Sequence, residues 1–310
     1  MDRFEAMRVF IRVLERRSFT RAAEDLGLPR STVTDSIKQT EARLGIRLLQ
    51  RTTRHVAPTL DGEAYYQRCL SILADVEDAE SAFSGATPKG VLRIDVQGKL
   101  ARHFVLPHLK DFLRCHPGLD IRMSEGDRLV DLVQEGFDCV LRVGTPQDSD
   151  LIIRQVTLLP QVTLASPDYL AEYGTPLHPD DLLNGSHRMV GFRSSATGST
   201  LPLEFSVAGT LRPLMLPVSL SVNAAESYSA AAVHGFGLVQ IPRYHGDLLL
   251  AAGAVRAVLP DYPPPPMPVS VLYPRSRQLS PRLRVFIDWL TGVFNSPPAA
   301  SGRSGSGHLF

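Results

Sequence analysis

Residues 18–45 read SFTRAAEDLGLPRSTVTDSIKQTEARLG, and two short helices joined by a tight turn account for their spacing. In the first helix Ala22 and Ala23 face inward beside Leu26, small enough to let a second helix approach closely. Gly27 permits the left-handed backbone that ends a helix, and Pro29 stands where the next one begins. Val33, Ile37 and Leu44 then recur at helical spacing, with Ala42 helping to fill the buried face. That phase turns Arg30, Ser31, Thr32, Thr34, Asp35 and Lys38 outward. A helix that packs on one side and presents hydroxyls and cations on the other suits a DNA major groove about 12 Å wide. Taken alone, the stretch also fits an ordinary helical hairpin with a solvated polar face.

The residues after Gly45 narrow the choice. Leu48 and Leu49 suggest a strand, residues 51–54 a basic turn and 55–57 a return strand, which together make a wing. From Arg30 to Arg54 six Lys/Arg stand against Asp35 and Glu41, a net +4 in a chain whose total is +1. Charge gathered on one small element of a near-neutral protein is the footprint of phosphate contact. Arg51, Thr53 and Arg54 of the wing are therefore expected beside phosphates or the minor groove, and the outward face of the second helix at base edges.

These residues resemble the N-terminal domain of LysR-type transcriptional regulators. The resemblance rests on a short helix over 4–16, Ser18-Phe19-Thr20, Ala22-Ala23, Leu26, Ile37, Glu41, Leu44-Gly45, Leu48, Arg51, Arg54, Thr59 and Gly62. Pro29 departs from the pattern, where a capping serine is usual, and so does Thr40, where leucine is usual. Proline accepts no capping hydrogen bond, so the helix must start differently. Further along, GDRLVDLVQEGFDCVLRVG at 126–144 and GFRSSATG at 191–198 look most like the CrgA-like branch of the family, and the resemblance extends over about residues 1–294.

The resemblance implies a multidomain α+β and α/β chain. It would have a winged helix-turn-helix over 1–59, a linker helix over 60–86 that pairs subunits, a hinge at 87–90 and an effector-binding domain over 91–295. The last would be two-lobed, like periplasmic binding proteins, with lobe I over 91–161 and 267–295 and lobe II over 162–266. The implied partners are double-stranded operator DNA, a small-molecule effector and a second copy of the chain, as a homodimer or a homotetramer of two dimers.

The residues themselves support much of this order. Thr59 can cap a helix over 60–83, in which Tyr65, Cys69, Ile72, Val76, Ala79 and Phe83 step by 4, 3, 4, 3, 4. Such a seam suits a partner helix, although a seam this short could equally pack on its own domain. Small residues and Pro88 over 84–90 mark a domain boundary. Beyond it the sequence predicts a strand at 91–96, a helix over 100–115 interrupted by Pro107, a strand at 119–123, a helix at 129–135 and a strand at 138–143. That βαβαβ order implies a parallel sheet with ligands outside its carboxyl ends. The rhythm breaks at 152–157 and 161–165, resumes with a helix over 223–234 and a strand at 238–241, returns through 269–273 and closes with a helix over 280–294.

Carried over residue by residue, the family's cleft positions fall on Gln97, Gly98, Lys99, Gly126-Asp127, Thr145, Arg193, Ser194, Asn223, Gln240 and Pro242. Lys99 replaces the small or hydroxyl residue common there, and with Arg193 it would make the cleft favourable for an anionic effector. Helix N-termini at Leu100 and Asn223 would help. The alternative leaves Lys99 capping solvent and Arg193 paired with a surface acid.

Other classes fit poorly. A hydrophobic content of 44% supports a sizeable core, while no apolar run approaches the roughly 18 residues of a membrane span. The N-terminus lacks a signal-peptide core, which points to the bacterial cytoplasm and to the nucleoid through operator binding. Cys69, Cys115 and Cys139 lack a CxxC pair, so each reads as a small buried apolar residue and no metal site is indicated. No HExxH, GxSxG or P-loop motif appears, and neither an enzyme nor a cofactor is expected. Residues 263–266 read as an extended connector, and the Ser/Gly/Pro-rich 296–310 as a disordered tail. The competing binding hypothesis is a solute-binding protein of a transport system. It would explain two lobes but not the first ninety or so residues.

Overall fold

The computed structural model describes residues 1–51, 56–84, 87–128, 130–145, 150–195, 197–275 and 279–295. The N-terminal domain begins with α1 (Arg3–Arg16), closed by a reciprocal capping box between Asp2 and Glu5. Helix α2 (Phe19–Leu26) starts on the Ser18 hydroxyl and ends at Gly27, whose φ of +63° is the left-handed value expected there. Helix α3 (Arg30–Leu44) packs Val33 and Ile37 against Val9, Phe10, Val13, Ala22 and Leu48, all at most 2% exposed.

The packed face of α3 differs from the expected one. Leu44 and Ala42 are exposed, whereas Ser36 and Thr40 are buried. Positions 33, 36, 37 and 40 form one i, i+3, i+4, i+7 stripe, and by Leu44 the helix has passed the edge of the small core. The wing strands β1 (Leu49–Arg51) and β2 (Val56–Pro58) pair antiparallel with Leu49 opposite Pro58. Thr53, Arg54 and the side chain of Arg51 lie outside the described residues.

The linker helix α4 (Leu60–Ser84) starts where the Thr59 hydroxyl accepts the Gly62 amide at 2.9 Å. Gly62 is required by close approach: a Cβ there would stand 1.9 Å from the Leu48 carbonyl oxygen. The first turns of α4 pack on α1, with the Tyr65 and Phe10 rings 5.2 Å apart and Cys69 and Leu73 in the same core. Tyr65 and Cys69 are thus taken up by their own domain, which corrects their place in the expected pairing seam. The reason is the length of α4, whose early turns cross the N-terminal core before leaving it. Ile72 and Ala79 are exposed, Val76 is half-buried, and the Phe83 side chain lies outside the described residues. Leu60, 93% exposed, and Ala64 continue the Ile72 line towards the N-terminus at four-residue spacing, with the exposed Arg68 between Ala64 and Ile72.

Lobe I is a five-stranded sheet in the order β4 (Leu119–Glu125), β3 (Gly90–Val96), β5 (Cys139–Val143), β15 (Met267–Pro274), β6 (Leu151–Leu159). The first three strands are parallel and β15 runs against both its neighbours. Helix α11 (Pro281–Asn295) covers one face with Leu283, Phe286, Ile287 and Leu290. Between β3 and β4 the helix is continuous. After α5 (Gly98–Leu100) it widens into a π turn over Ala101–Val105 and continues as α6 (Leu106–Cys115). Pro107 is tolerated because the wider turn ahead of it relieves the clash its ring would make in a regular helix. Helix α7 is a single turn, Leu132–Glu135, shorter than expected, and Cys115 at the end of α6 is exposed, unlike Cys69 and Cys139.

Lobe II holds three small sheets. These are β7 (Gln161–Ala165) between β13 (Val239–Pro242) and β14 (Arg256–Ala257); β8 (Met189–Arg193) between β12 (Val218–Val222) and β9 (Thr200–Leu201); and the hairpin β10 (Leu203–Val207) with β11 (Thr210–Leu214). Helices α8 (Pro167–Tyr173), α9 (Ala225–Val233) and α10 (Arg243–Ala251) complete it. The chain crosses between lobes at Pro160 and again over 263–266, where Gln161 donates to the Pro265 carbonyl at 2.7 Å. Among the described residues no helix is long and apolar enough to cross a membrane.

Candidate DNA interface and effector cleft

The exposed face of α3 carries Arg30, Ser31, Asp35 and Lys38, with Thr32 and Thr34 half-buried beside them. Its N-cap, Pro29, makes no side-chain hydrogen bond, so the first amides of the helix point outward with no partner from the cap. Thr34 donates its hydroxyl to the Arg30 carbonyl at 2.9 Å, which leaves its oxygen free to accept. Gln39, exposed next to Lys38, is a further surface donor that the periodicity argument did not single out. At the far end Glu41 fixes the helix to the wing, accepting the Leu48 and Leu49 amides at 2.9 and 3.1 Å. The other helix of the pair is tied to α1 by Arg16 and Asp25 at 2.5 Å, and that guanidinium holds the Asp25 carboxyl below the usual carboxylate range.

Between the lobes, the expected effector residues divide into those that meet across the cleft and those bound within their own lobe. Lys99 reaches across to Glu226 on α9 at 2.6 Å, and Arg102 joins the same carboxylate at 2.7 Å while also holding Glu125 at 2.8 Å. Asp127, just beyond β4, accepts the Ala225 amide at 3.0 Å. That carboxylate serves as the cap of α9, whose own N-cap residue, Ala224, has no side chain able to do so. The expected anion at this helix start is therefore supplied by the protein itself.

The remaining positions are held locally. Gln97 accepts the Val143 amide at 2.8 Å, joining β3 to β5. Gln240 accepts the Glu204 amide and donates to Thr163 and to the Glu204 carbonyl, so its side chain is used within lobe II. Arg193 is exposed, with Nε 3.4 Å from the Gly198 carbonyl of its own turn, and the Ser194 hydroxyl accepts the Thr197 amide at 3.3 Å. Thr145 and Asn223 are exposed, and Pro242 opens α10. A Cβ at Gly98 would meet the ends of the Arg102 and Glu125 side chains. Lys99 is paired with Glu226 and the Arg193 Nε approaches the Gly198 carbonyl of its own turn, so an anion drawn to this pair would have to compete with Glu226 for Lys99.

Four residues that periodicity could not find complete the cleft. His103 and Phe104 of the π turn pack on Tyr244 of α10, with ring centroids 4.8 and 5.0 Å apart. Beside them His245 is buried, and among the described residues its Nε2 has no hydrogen-bond partner. Burial, aided by Lys99, pushes the His245 imidazole down to about 4. Burial likewise raises the Tyr244 phenol well above its ordinary value, with Asp127 and Glu226 adding to the effect. One carboxylate oxygen of Asp127, Oδ1, is also buried with no partner among the described residues. The only further signal in the sequence was Gly126-Asp127, at the end of a predicted strand.

Comparison with known proteins decides what this architecture is. Residues 4–63 match the bacterial regulatory helix-turn-helix protein of the lysR family, and residues 85–295 match the LysR substrate binding domain. The chain belongs to the LysR family of transcriptional regulators. It is 39% identical to the HTH-type transcriptional regulator YhjC of Escherichia coli K12, over 94% of this chain and 98% of that one. It is 33% identical to an HTH-type transcriptional repressor of Pseudomonas aeruginosa, over 96% and 94% respectively. Its structure resembles CrgA, a LysR-type regulator from Neisseria meningitidis, with a TM-score of 0.57 at 28% identity, covering 94% of this regulator and 99% of CrgA. A transport receptor is not favoured, because the helix-turn-helix match accounts for the N-terminal residues that such a receptor would leave unexplained.

Proposed function

We propose that this regulator reads its operator with the N-terminal half of α3 and that its effector acts in the cleft by competing with the Asp127 and Glu226 contacts. The observation that carries the first part is the open start of α3. Outward amides, the exposed Ser31 and Lys38 and the half-buried Thr32 stand together on the outer face of the helix, as a groove-reading helix requires. Arg30, Asp35 and Thr34 border that face, while Arg51, Thr53 and Arg54 of the wing would serve phosphates. A regulator working in this way acts in the bacterial cytoplasm, on the nucleoid, and carries out no catalytic step.

The cleft reading rests on charge. Three acids, Glu125, Asp127 and Glu226, face Lys99 and Arg102 there, and one Asp127 oxygen still lacks a donor. A ligand offering hydrogen-bond donors, rather than a simple carboxylate, suits that inventory. Subunits would pair through the outer stripe of α4, namely Leu60, Ala64, Ile72 and Ala79 with Val76 at its edge, instead of through Tyr65 and Cys69.

Mapping of binding sites across the source genome supplies the operator duplex. Salt titration of its binding should then show the steep loss expected when several cations release counterions. Sedimentation of Ile72→Asp with Ala79→Asp should yield monomers at concentrations where the native chain is at least a dimer. A native monomer would end the pairing proposal, and an operator affinity indifferent to salt would end the docking one.

A further inference from the structure

Lobe I has a second face, turned towards the linker helix and α1, with Arg282 at the start of α11 on its rim. On it Arg93 of β3 and Arg122 of β4 are direct register partners on parallel strands, so their stems start about 4.8 Å apart. Like charges placed directly opposite each other repel. Glu77 of the linker helix lines the larger cavity beside them, while the other acids at hand are committed. Asp138 accepts the Arg93 backbone amide and the Arg282 guanidinium, Glu135 is held by Arg128, and Glu15 by Arg12 at 3.3 Å. Arg122 has only Asp120 at 3.7 Å. The half-buried Arg93 guanidinium makes no hydrogen bond or ion pair among the described residues; its burial, with Arg122 alongside, disfavours its charged form, and Asp138 and Glu15 offset that only in part.

The two arginines open onto two adjoining cavities. One, of about 410 Å³, is bounded by Arg8 of α1 and by the apolar side chains of Ile11, Leu70 and Leu73; the other, of about 260 Å³, is bounded by Ser124. The larger lies within the roughly 300–1,000 Å³ range of small-molecule sites. A pair of guanidinium forks, of which Arg122 is held only by Asp120 at 3.7 Å, beside a donor hydroxyl, suits the bidentate geometry of a tetrahedral oxyanion.

We infer that the junction of the N-terminal domain, the linker helix and lobe I is a second ligand site, in which Arg93 and Arg122 bind the phosphate of a small molecule. The site is separate from the cleft, on the face of lobe I towards α1 and the linker helix, with Arg282 of α11 at its border. Because the larger cavity is walled by both α1 and lobe I, an occupant bridges the DNA-binding and effector domains. The apolar wall formed by Ile11, Leu70 and Leu73 would take an organic group attached to the phosphate.

The test is thermal unfolding of the full chain with inorganic phosphate and, separately, with phenyl phosphate, at ionic strength held constant with chloride. A saturable rise of about 2–4 °C is expected. The rise should be lost in both Arg93→Met and Arg122→Gln and kept in Arg114→Gln, an exposed arginine elsewhere on lobe I. Arg122 is half-exposed on an edge strand, so its variant remains informative even if Arg93→Met folds poorly. A stronger response to phenyl phosphate assigns an organic phosphate, and an equal response assigns free phosphate, each supporting the site. No response in the native chain, a response intact in both arginine variants, or one abolished only by Lys99→Ala in the cleft overturns it.

Discussion

Helices α3 and α9 both begin at a residue that cannot cap, and the two starts have been treated in opposite ways. Pro29 leaves the first amides of α3 open to the outside, whereas Ala224 leaves those of α9 to be filled by Asp127 from the other lobe. A helix start carries about half a positive charge, and any nearby anion is drawn to it. One end therefore waits for a phosphate from outside the molecule, and the other is satisfied from within. The contrast suggests that in this regulator an open helix start is a place to bind, and a filled one is a contact that a ligand must break.

Acid should separate the two ends most sharply. With the His245 imidazole depressed to about 4 from an ordinary 6.5, its neutral form belongs to the folded state. The stabilisation is fully present above pH 6.5 and is lost as the pH falls towards 4, by up to about 3 kcal/mol. Denaturant unfolding of the full chain between pH 7 and 4.5 should show this loss, and His245→Gln should flatten it. An unchanged pH profile in the variant would mean that other groups govern acid sensitivity near the filled end.

Removing the cap comes next. Asp127→Ala should cost about 1–2 kcal/mol, the usual loss for a helix cap, and should raise amide hydrogen exchange in the first turn of α9 without touching α3. Exchange that stays slow there would show that the lobes hold together without this contact. The converse experiment fills the open end. Pro29→Asp should stabilise the N-terminal domain by about 0.5–1 kcal/mol while weakening operator binding about tenfold, since a carboxylate then occupies the position of a phosphate. Unaltered binding would argue that the start of α3 lies away from the DNA backbone. The smallest effect belongs to Thr34→Ala. Stability should move by no more than about 0.5 kcal/mol, and the change should appear in discrimination between operators, measured by competition among duplexes.

The N-terminal motif was legible because its residues act at short range. Glu41 reaches Leu48 and Leu49 within a few residues of chain, Thr59 caps three residues ahead, and Gly62 clears the nearby Leu48 carbonyl. Periodicity failed only in degree, placing Ala42 and Leu44 inside, because a helix longer than its core runs past the edge, while Thr40 occupies the packing position the family pattern gives it. The cleft was not legible in the same way. Lys99 finds Glu226, Asp127 finds Ala225, and Gln240 finds Glu204 and Thr163, partners from tens of residues to more than a hundred residues away. A carried-over cleft position names a location, while the hydrogen bonds that decide whether its side chain is free depend on the folded neighbours. Tyr65 and Cys69 illustrate a third case, since a heptad seam does not say which of two surfaces it meets.

The π turn over Ala101–Val105 amounts to one residue more than a regular helix would hold. Each added residue rotates the rest of the helix by about 100°, so the helix has two phases. Lys99 before the turn and Arg102 within it look across the cleft; after it, Phe112 looks into the core of lobe I. Deleting a single residue would restore a regular helix and force a choice between those two faces.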